Sequence, residues 1–297
     1  MNTLILDGKP VRDAMIARLK EETGTRIHKP ALAVVTVGDD PASKIYVGIK
    51  ERTCHEIGFG FRKFMFGADA SLADIVTCIK ELNTDPTMSG IIVQIPLPQA
   101  LWGTENAIVS AVDPEKDVDG LHPSTIGGIS VKPDIANDEL LLPPTPMGVV
   151  RLLEYYHIPI SGKHVVILGR SALVGKPLSL LMLSRDATVT VCHSKTEDVQ
   201  AITKTADILI SSVGKPHTVT PDMVKPGAVV VDVGIIQLAD GVVGDVEYAE
   251  VSRVASAITP VPGGVGPMTI VCLMENVMKA YKNQGKKLGM DRSGERS

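Results

Sequence analysis

Aromatic residues are scarce: one Trp, five Tyr and four Phe in 297 residues. A base-stacking platform for nucleic acid is therefore not expected. Nor is there a basic excess, because 30 Lys and Arg stand against 34 Asp and Glu for a net charge of −4. A nucleic-acid footprint needs a basic face. Cysteine is also sparse. Cys54, Cys78, Cys192 and Cys272 are scattered, with no C-x-x-C pair and no metal-ligand spacing, so no metal is expected. Reduced, buried thiols in a reducing compartment are the simplest account. No apolar run reaches the roughly 18 residues of a membrane span. The opening MNTLILDGKPVRD meets Asp7 before any signal-peptide length, and is too acidic and Arg-poor for a transit peptide.

What is present is a length suited to two domains, 44% hydrophobic residues and a mean hydropathy of +0.17, the range of a soluble globular protein. Strand-like and helix-like periods alternate. Strands are predicted at Ala31 to Val37, Ile91 to Ile95, Val165 to Leu168, Thr188 to Cys192, Ile208 to Ser211, Val229 to Asp232 and Ala257 to Thr259. A helix is predicted from Pro41 to Ile57, capped by Asp40 and ended by Gly58, and another behind Ser71. Others begin at about Met147 and run from Met268 to Tyr281, and no solenoid repeat is visible. The Pro/Gly-rich stretch 113–145 reads as the domain boundary. Alternating β and α units imply an α/β fold of parallel sheets flanked by helices, with ligands at the carboxyl ends of strands.

The stretch KHVVILGRSALVGKP, 163–177, runs a β-branched strand into a glycine-containing loop and a helix. Gly169 and Gly175 bracket a turn where backbone can approach a pyrophosphate. The loop reads G-x-S-x-x-x-G, a weak dinucleotide signal by itself. The next strand ends in His193, Ser194, Lys195 and Thr196, where an NAD enzyme usually places a carboxylate for the ribose 2′-hydroxyl. With Arg170 in the loop to clamp a 2′-phosphate, the reading is NADP. Ser194 also has capping-box spacing to Glu197.

Ser43, Tyr46 and Lys50 share one helical stripe, while Ile45 and Ile49 occupy a neighbouring face that can pack on a sheet. A Tyr–Lys pair beside a buried face suits acid/base work, since burial lowers a lysine's pKa; a plain surface lysine is the alternative. Gln94 emerges between prolines at a strand end, as a cleft residue or a turn residue. Asp119 lies in an acidic loop without calcium-loop spacing, facing either a heterocycle's donors or solvent. The TPVPGGVGPMT segment, 259–269, offers a rigid, side-chain-poor backbone against a ring system.

In order, KIYVGIK, IIVQIPLP, PEKDVDGLHP, PPTPMG, GRSALVGKP, VVVDVGI, GDVEY and TPVPGGVGPMT resemble the bifunctional methylenetetrahydrofolate dehydrogenase/cyclohydrolase (FolD) family over roughly residues 3 to 280. The resemblance implies a folate-binding catalytic domain, 1–145, joined by a helix at 267–282. It also implies a Rossmann-like NADP domain, 146–266, and a cleft between the two; the polar, Gly-containing stretch 283–297 reads as a flexible tail. Lys50 becomes the leading catalytic residue, with Tyr46, Gln94 and Asp119. Val93, Ile95, Pro262, Gly263 and Gly266 join the folate site. Thr145, Gly169, Arg170, Ser171, His193, Ser194, Ile235 and Thr269 surround NADP. A cytoplasmic homodimer serving one-carbon metabolism and purine biosynthesis follows, with neither metal nor nucleic acid. Pro144 stands where the family usually has Cys, and Arg52 replaces a second lysine. The rivals are a monofunctional family member, a shikimate-type dehydrogenase and a silent NADP-binding module; Tyr46-Lys50, DVDG and TPVPGGVGPMT together disfavour the second, and an intact Lys50 the third.

Overall fold

The computed structural model describes residues 3–131, 140–239 and 241–287, which divide into two compact units. The strands are β1 (Leu4–Ile5), β2 (Ala31–Val37), β3 (Gly60–Phe66), β4 (Gly90–Val93), β5 (His164–Leu168), β6 (Thr188–Cys192), β7 (Ile208–Ser211), β8 (Val229–Asp232), β9 (Ile236–Leu238), β10 (Gly241–Val243) and β11 (Ala257–Ile258).

One unit holds residues 14–128, 140–144 and 270–287. Its parallel sheet has the order β3-β2-β4. The near-continuous apolar run of β2 suits a central strand buried on both faces. Ala33 and Val35 share a core cluster with Ile75, Ile79 and Leu82 of the helix Leu72–Thr84. That helix starts at a full capping box: Ser71 Oγ accepts the Asp74 N–H and Asp74 Oδ2 accepts the Ser71 N–H, each at 3.2 Å. The helix Pro41–Ile57 has Asp40 at its cap, accepting the Ser43 N–H at 2.7 Å. Its buried face differs from the expected one. Val47, Lys50, Cys54 and Ile57 turn inward, while Ile45 is 64% exposed, ~200° round the helix from Val47. Strand β4 stops short of Ile95. The Gln94 N–H still reaches the Val35 carbonyl at 2.8 Å, but Pro96 has no N–H to give.

The other unit holds residues 3–13, 129–131 and 145–269. Its six strands are all parallel, in the order β1-β11-β8-β7-β5-β6, and β9 and β10 form a separate antiparallel pair. Residues 3–13, placed by sequence in the catalytic domain, cluster with this unit in the structure: the Leu4 N–H donates to the Ser256 carbonyl and the Leu6 N–H to the Ile258 carbonyl, at 2.9 and 2.8 Å. The boundary segment contains the helix Pro123–Val131; its residues 132–139 lie outside the described residues. The helix expected near Met147 spans Pro144–Tyr155, with Pro144 in the first turn, where a missing N–H costs nothing.

The last helix, Val265–Lys287, is longer than expected at both ends. Residues 283–287 of the expected tail are its final turn, held by Gln284 Nε2 donating to the Ser89 carbonyl at 2.9 Å and favoured by Lys286 and Lys287 at the negative end of the helix dipole. The remainder of that tail, 288–297, lies outside the described residues.

Removing the Ser71 hydroxyl breaks the reciprocal cap while leaving the core untouched. Ser71→Ala is expected to cost about 1 kcal/mol, read as a lower urea midpoint with an unchanged slope. An unshifted midpoint would show that the box contributes nothing to folding.

Candidate active site

In the three-stranded unit, the crossover after β2 leads to β3 on one side and the chain then returns to β4 on the other. The connections therefore diverge at the carboxyl ends of β2 and β4, the place where open α/β sheets form a crevice. Lys50 and Gln94 meet there. Lys50 is 8% exposed and its Nζ donates to Gln94 Oε1 at 2.9 Å. The amide is oriented for this, because Gln94 Nε2 donates to the Ile95 carbonyl at 2.7 Å. Burial pushes the Lys50 amine below its ordinary pKa, and the nearby charge of Asp119 pulls it partly back. Burial raises Asp119 in turn, and Lys50 lowers it.

The DVDG loop is pinned beside β4 by the Ile91 N–H, which donates to the Lys116 carbonyl at 2.7 Å. Lys116 is buried and structural: its Nζ donates to the carbonyls of Leu82 and Asp85, at 3.0 and 2.7 Å, closing the end of the helix before β4. Asp117 is buried as well. Its carboxyl is pushed up to about 7 by burial, although it accepts the His122 N–H at 2.6 Å. Val93 is buried and Ile95 half-buried. Tyr46 is 38% exposed, and its hydroxyl has no hydrogen-bond partner among the described residues. A cavity of about 270 Å³ adjoins Gln94, lined also by Val37, Ser43, Val47 and Glu51; sequence reasoning did not single out its Glu51.

The remaining expected residues lie in the six-stranded unit. Here β5 has β6 on one side and β7 on the other, which makes a second divergence of connections. Gly169, Arg170 and Ser171 follow β5, His193 and Ser194 follow β6, and Ile235 follows β8. Both bracketing glycines are required. A Cβ on Gly175 would lie 2.2 Å from the Gly169 carbonyl oxygen, and one on Gly169 2.6 Å from that of Ser212. Ser171 Oγ accepts the Val174 N–H at 3.1 Å, which tightens the turn. Arg170 is exposed and forms no ion pair among the described residues. Thr145 and Thr269, each in the first turns of a helix, share a hydrogen bond at 3.1 Å. Pro262, Gly263 and Gly266 belong to this unit, not to that of Lys50.

Ser194 does not cap a helix. The helix that follows is Val199–Thr203, and Asp198 caps it by accepting the Ala201 N–H at 3.3 Å. Thr196 Oγ1 instead accepts the His193 N–H at 2.9 Å, which folds the SKT segment into a turn.

Residues 6–119 match the model of the tetrahydrofolate dehydrogenase/cyclohydrolase catalytic domain, and residues 143–285 match that of its NAD(P)-binding domain. The "Bifunctional protein FolD" of Methanoculleus marisnigri is 47% identical over 280 residues, covering 94% of this chain and 96% of that protein. That of Aquifex aeolicus is 46% identical over 285 residues, covering 95% and 96%. The crystal structure of FolD from Campylobacter jejuni superposes with a TM-score of 0.90 at 41% identity, covering 95% of this chain and 99% of that one. The Trypanosoma brucei enzyme, solved with NADP cofactor and inhibitor, gives 0.89 at 33% identity, covering 95% and 98%. The chain belongs to the tetrahydrofolate dehydrogenase/cyclohydrolase family.

The raised Asp117 carboxyl sets a pH dependence of stability. Between the ordinary value of 3.8 and about 7, the folded state retains a proton that the unfolded chain has released. Its contribution to stability therefore falls as pH rises through that window. The denaturation midpoint is expected to drop more steeply between pH 5 and pH 8 in the unmodified chain than in Asp117→Asn. Part of the slope should persist, because Asp232 is also raised, to about 6. Parallel slopes for the two proteins would remove Asp117 as a source.

Proposed function

We propose that this chain oxidises 5,10-methylenetetrahydrofolate to 5,10-methenyltetrahydrofolate with NADP⁺ and hydrolyses the product to 10-formyltetrahydrofolate. The observation that carries the reading is the buried Lys50 amine held on Gln94 beside Asp119, in a chain of this family.

The loop after β5 fits a dinucleotide. Its two glycines leave no room for side chains where backbone must approach a pyrophosphate, and Arg170 has no ion-pair partner among the described residues, leaving its guanidinium for a 2′-phosphate. Gly169, Arg170, Ser171, His193, Ser194 and Ile235 would hold the cofactor, with Thr145 and Thr269 at paired helix starts. When bound, NADP⁺ supplies the hydride acceptor.

For the dehydrogenase step the chain's task is alignment. Asp119 accepts hydrogen bonds from the pterin amino group and ring nitrogen, Tyr46 lies against the folate ring, and Val93 and Ile95 pack around it. Hydrolysis requires proton control at the attacking water oxygen. Lys50, lowered by burial, takes that proton in its neutral form and returns it as the ring opens. Gln94 keeps the amine in place through its Oε1.

Two coarser facts frame the finer readings of setting and assembly. Among the described residues no helix is long and apolar enough to cross a membrane, and no disulfide joins the four cysteines. A reducing cytoplasmic setting, with the formyl product feeding purine biosynthesis, agrees with them. A homodimer through the six-stranded unit is supported by β6, an edge strand with partly exposed residues and no further strand partner among the described residues.

Lys50→Gln retains length and hydrogen bonding but cannot cycle a proton. It should lower hydrolysis of methenyltetrahydrofolate by about a hundredfold or more while sparing part of the dehydrogenase rate, so methenyltetrahydrofolate accumulates. Near-normal hydrolysis by the folded variant, checked by circular dichroism, would remove Lys50 from the mechanism. Arg170→Ala should weaken NADP⁺ binding roughly ten- to a hundredfold, the loss expected for a charge-assisted contact, with little change for NAD⁺. Equal use of both cofactors by the unmodified chain would overturn the assignment.

A further inference from the structure

The GDVEY block contains a carboxylate to which neither reaction gives a role. Asp245 is fully buried, at 0% exposure, and no cation pairs with it among the described residues. Its counter-charge is a set of four donors. Oδ2 accepts the Ser211 hydroxyl and the Val213 N–H, both at 2.7 Å. Oδ1 accepts the Gly214 and Lys215 N–H groups, at 2.9 and 3.0 Å. Three consecutive backbone N–H groups thus converge on one side chain, an anion nest made inside the fold. A buried, unpaired carboxylate is costly unless its donors are fixed in this way.

The loop so fixed lies directly behind the phosphate turn. The Ser212 N–H and hydroxyl both donate to the Leu168 carbonyl, at 2.8 and 3.0 Å. The Ser212 hydroxyl and carbonyl oxygens are also what leave no space for a Cβ on Gly169. A second tie runs to the turn after β8. The Asp245 N–H donates to Asp232 Oδ1 at 3.0 Å, and the same oxygen accepts the Gly234 N–H at 2.9 Å, one residue before Ile235. Asp232 Oδ2 accepts the Val246 N–H at 2.9 Å. The buried Asp245 side chain therefore sets the backbone after β7 and through it touches the turn after β5, while the turn after β8 is tied to the Asp245 backbone by the Asp232 carboxylate.

We propose that Asp245 is a positioning residue of the cofactor site, its carboxylate holding the 212–215 loop so that the Gly169 turn keeps the shape a dinucleotide requires. This rests on the cofactor reading above. Its origin is the geometry after β7, where no residue was assigned to the ligand.

The test titrates NADPH fluorescence against the full chain, and separately follows hydrolysis of methenyltetrahydrofolate without cofactor. Asp245→Asn keeps the volume but replaces one acceptor oxygen by an NH₂ that faces N–H donors. Its Kd for NADPH should rise about tenfold or more, the loss expected for charge-assisted hydrogen bonds. Hydrolysis should stay within about twofold if folding is intact, because Lys50, Gln94 and Asp119 lie in the other unit. A Kd within about twofold of the unmodified chain would overturn the proposal, as would a parallel fall of binding, hydrolysis and melting temperature, which marks a purely structural residue. Should Asp245→Asn not fold, Ser211→Ala decides: it removes one donor and leaves the carboxylate. A severalfold higher Kd supports the role and an unchanged Kd overturns it. Failure of the unmodified chain to bind NADPH would instead refute the cofactor reading on which the proposal rests, and is told apart by being present before any substitution.

Discussion

A lysine amine drawn out of water must find a fixed acceptor, hold its proton less tightly, or be offset by a nearby anion, and at Lys50 an acceptor, a lowered pKa and a nearby carboxylate occur together. It sits on the inward stripe of its helix with Val47, Cys54 and Ile57, so ordinary apolar burial of that stripe takes the amine out of water. Gln94 supplies the acceptor, and its own orientation is set one residue further on, by the Ile95 carbonyl. Asp119 supplies the anion from a loop tied to β4. Removing the helix cap at Asp40, the β4 ladder or the DVDG loop would each disturb the same amine. The chemistry is thus a consequence of how one helix and one strand end are packed.

Parallel connectivity explains why the candidate groups gather where they do. A three-stranded sheet with its first strand in the middle and a six-stranded sheet with β5 between β6 and β7 each have a point where successive connections part. At the first, the polar groups are an amine, an amide and a carboxylate. At the second they are backbone N–H groups, hydroxyls and the Arg170 guanidinium, which forms no ion pair among the described residues. The first set suits proton transfer and the second suits an anionic ligand. Each unit therefore offers one kind of chemistry, as the two family domains do.

Elements with strong local signals were readable from sequence. Ala31–Val37, Pro41–Ile57 and Thr188–Cys192 have the expected bounds because β-branched runs, a Pro at the first helical turn and a following Gly mark them. Weaker signals misled. Ile45 seemed a core residue by hydrophobicity, yet angular position, not residue type, decides which side of a helix is buried. Ser194 has capping-box spacing but lies five residues before the helix. The two-residue strand β1 was invisible, since only its pairing with β11 makes it a strand. The residues 283–287 looked like a tail for lack of apolar side chains, but a helix already paid for by its preceding turns extends readily.

Asp245 marks the limit of sequence reading in physical terms. Its partners are three backbone N–H groups and one hydroxyl, and backbone donors leave no pattern in residue types. A carboxylate between Gly244 and Val246 reads as easily as a solvated turn. Only the three-dimensional count of donors separates the two, because each oxygen of a buried carboxylate must be satisfied locally. The neighbouring Asp232 shows what happens when satisfaction is less complete. With three N–H donors and Asp245 close by, burial and like charge together keep its carboxyl raised to about 6. Asp245, with four donors including a hydroxyl, is the better solvated of the pair by the protein itself. The backbone that supplies these donors is the backbone that shapes the strand ends.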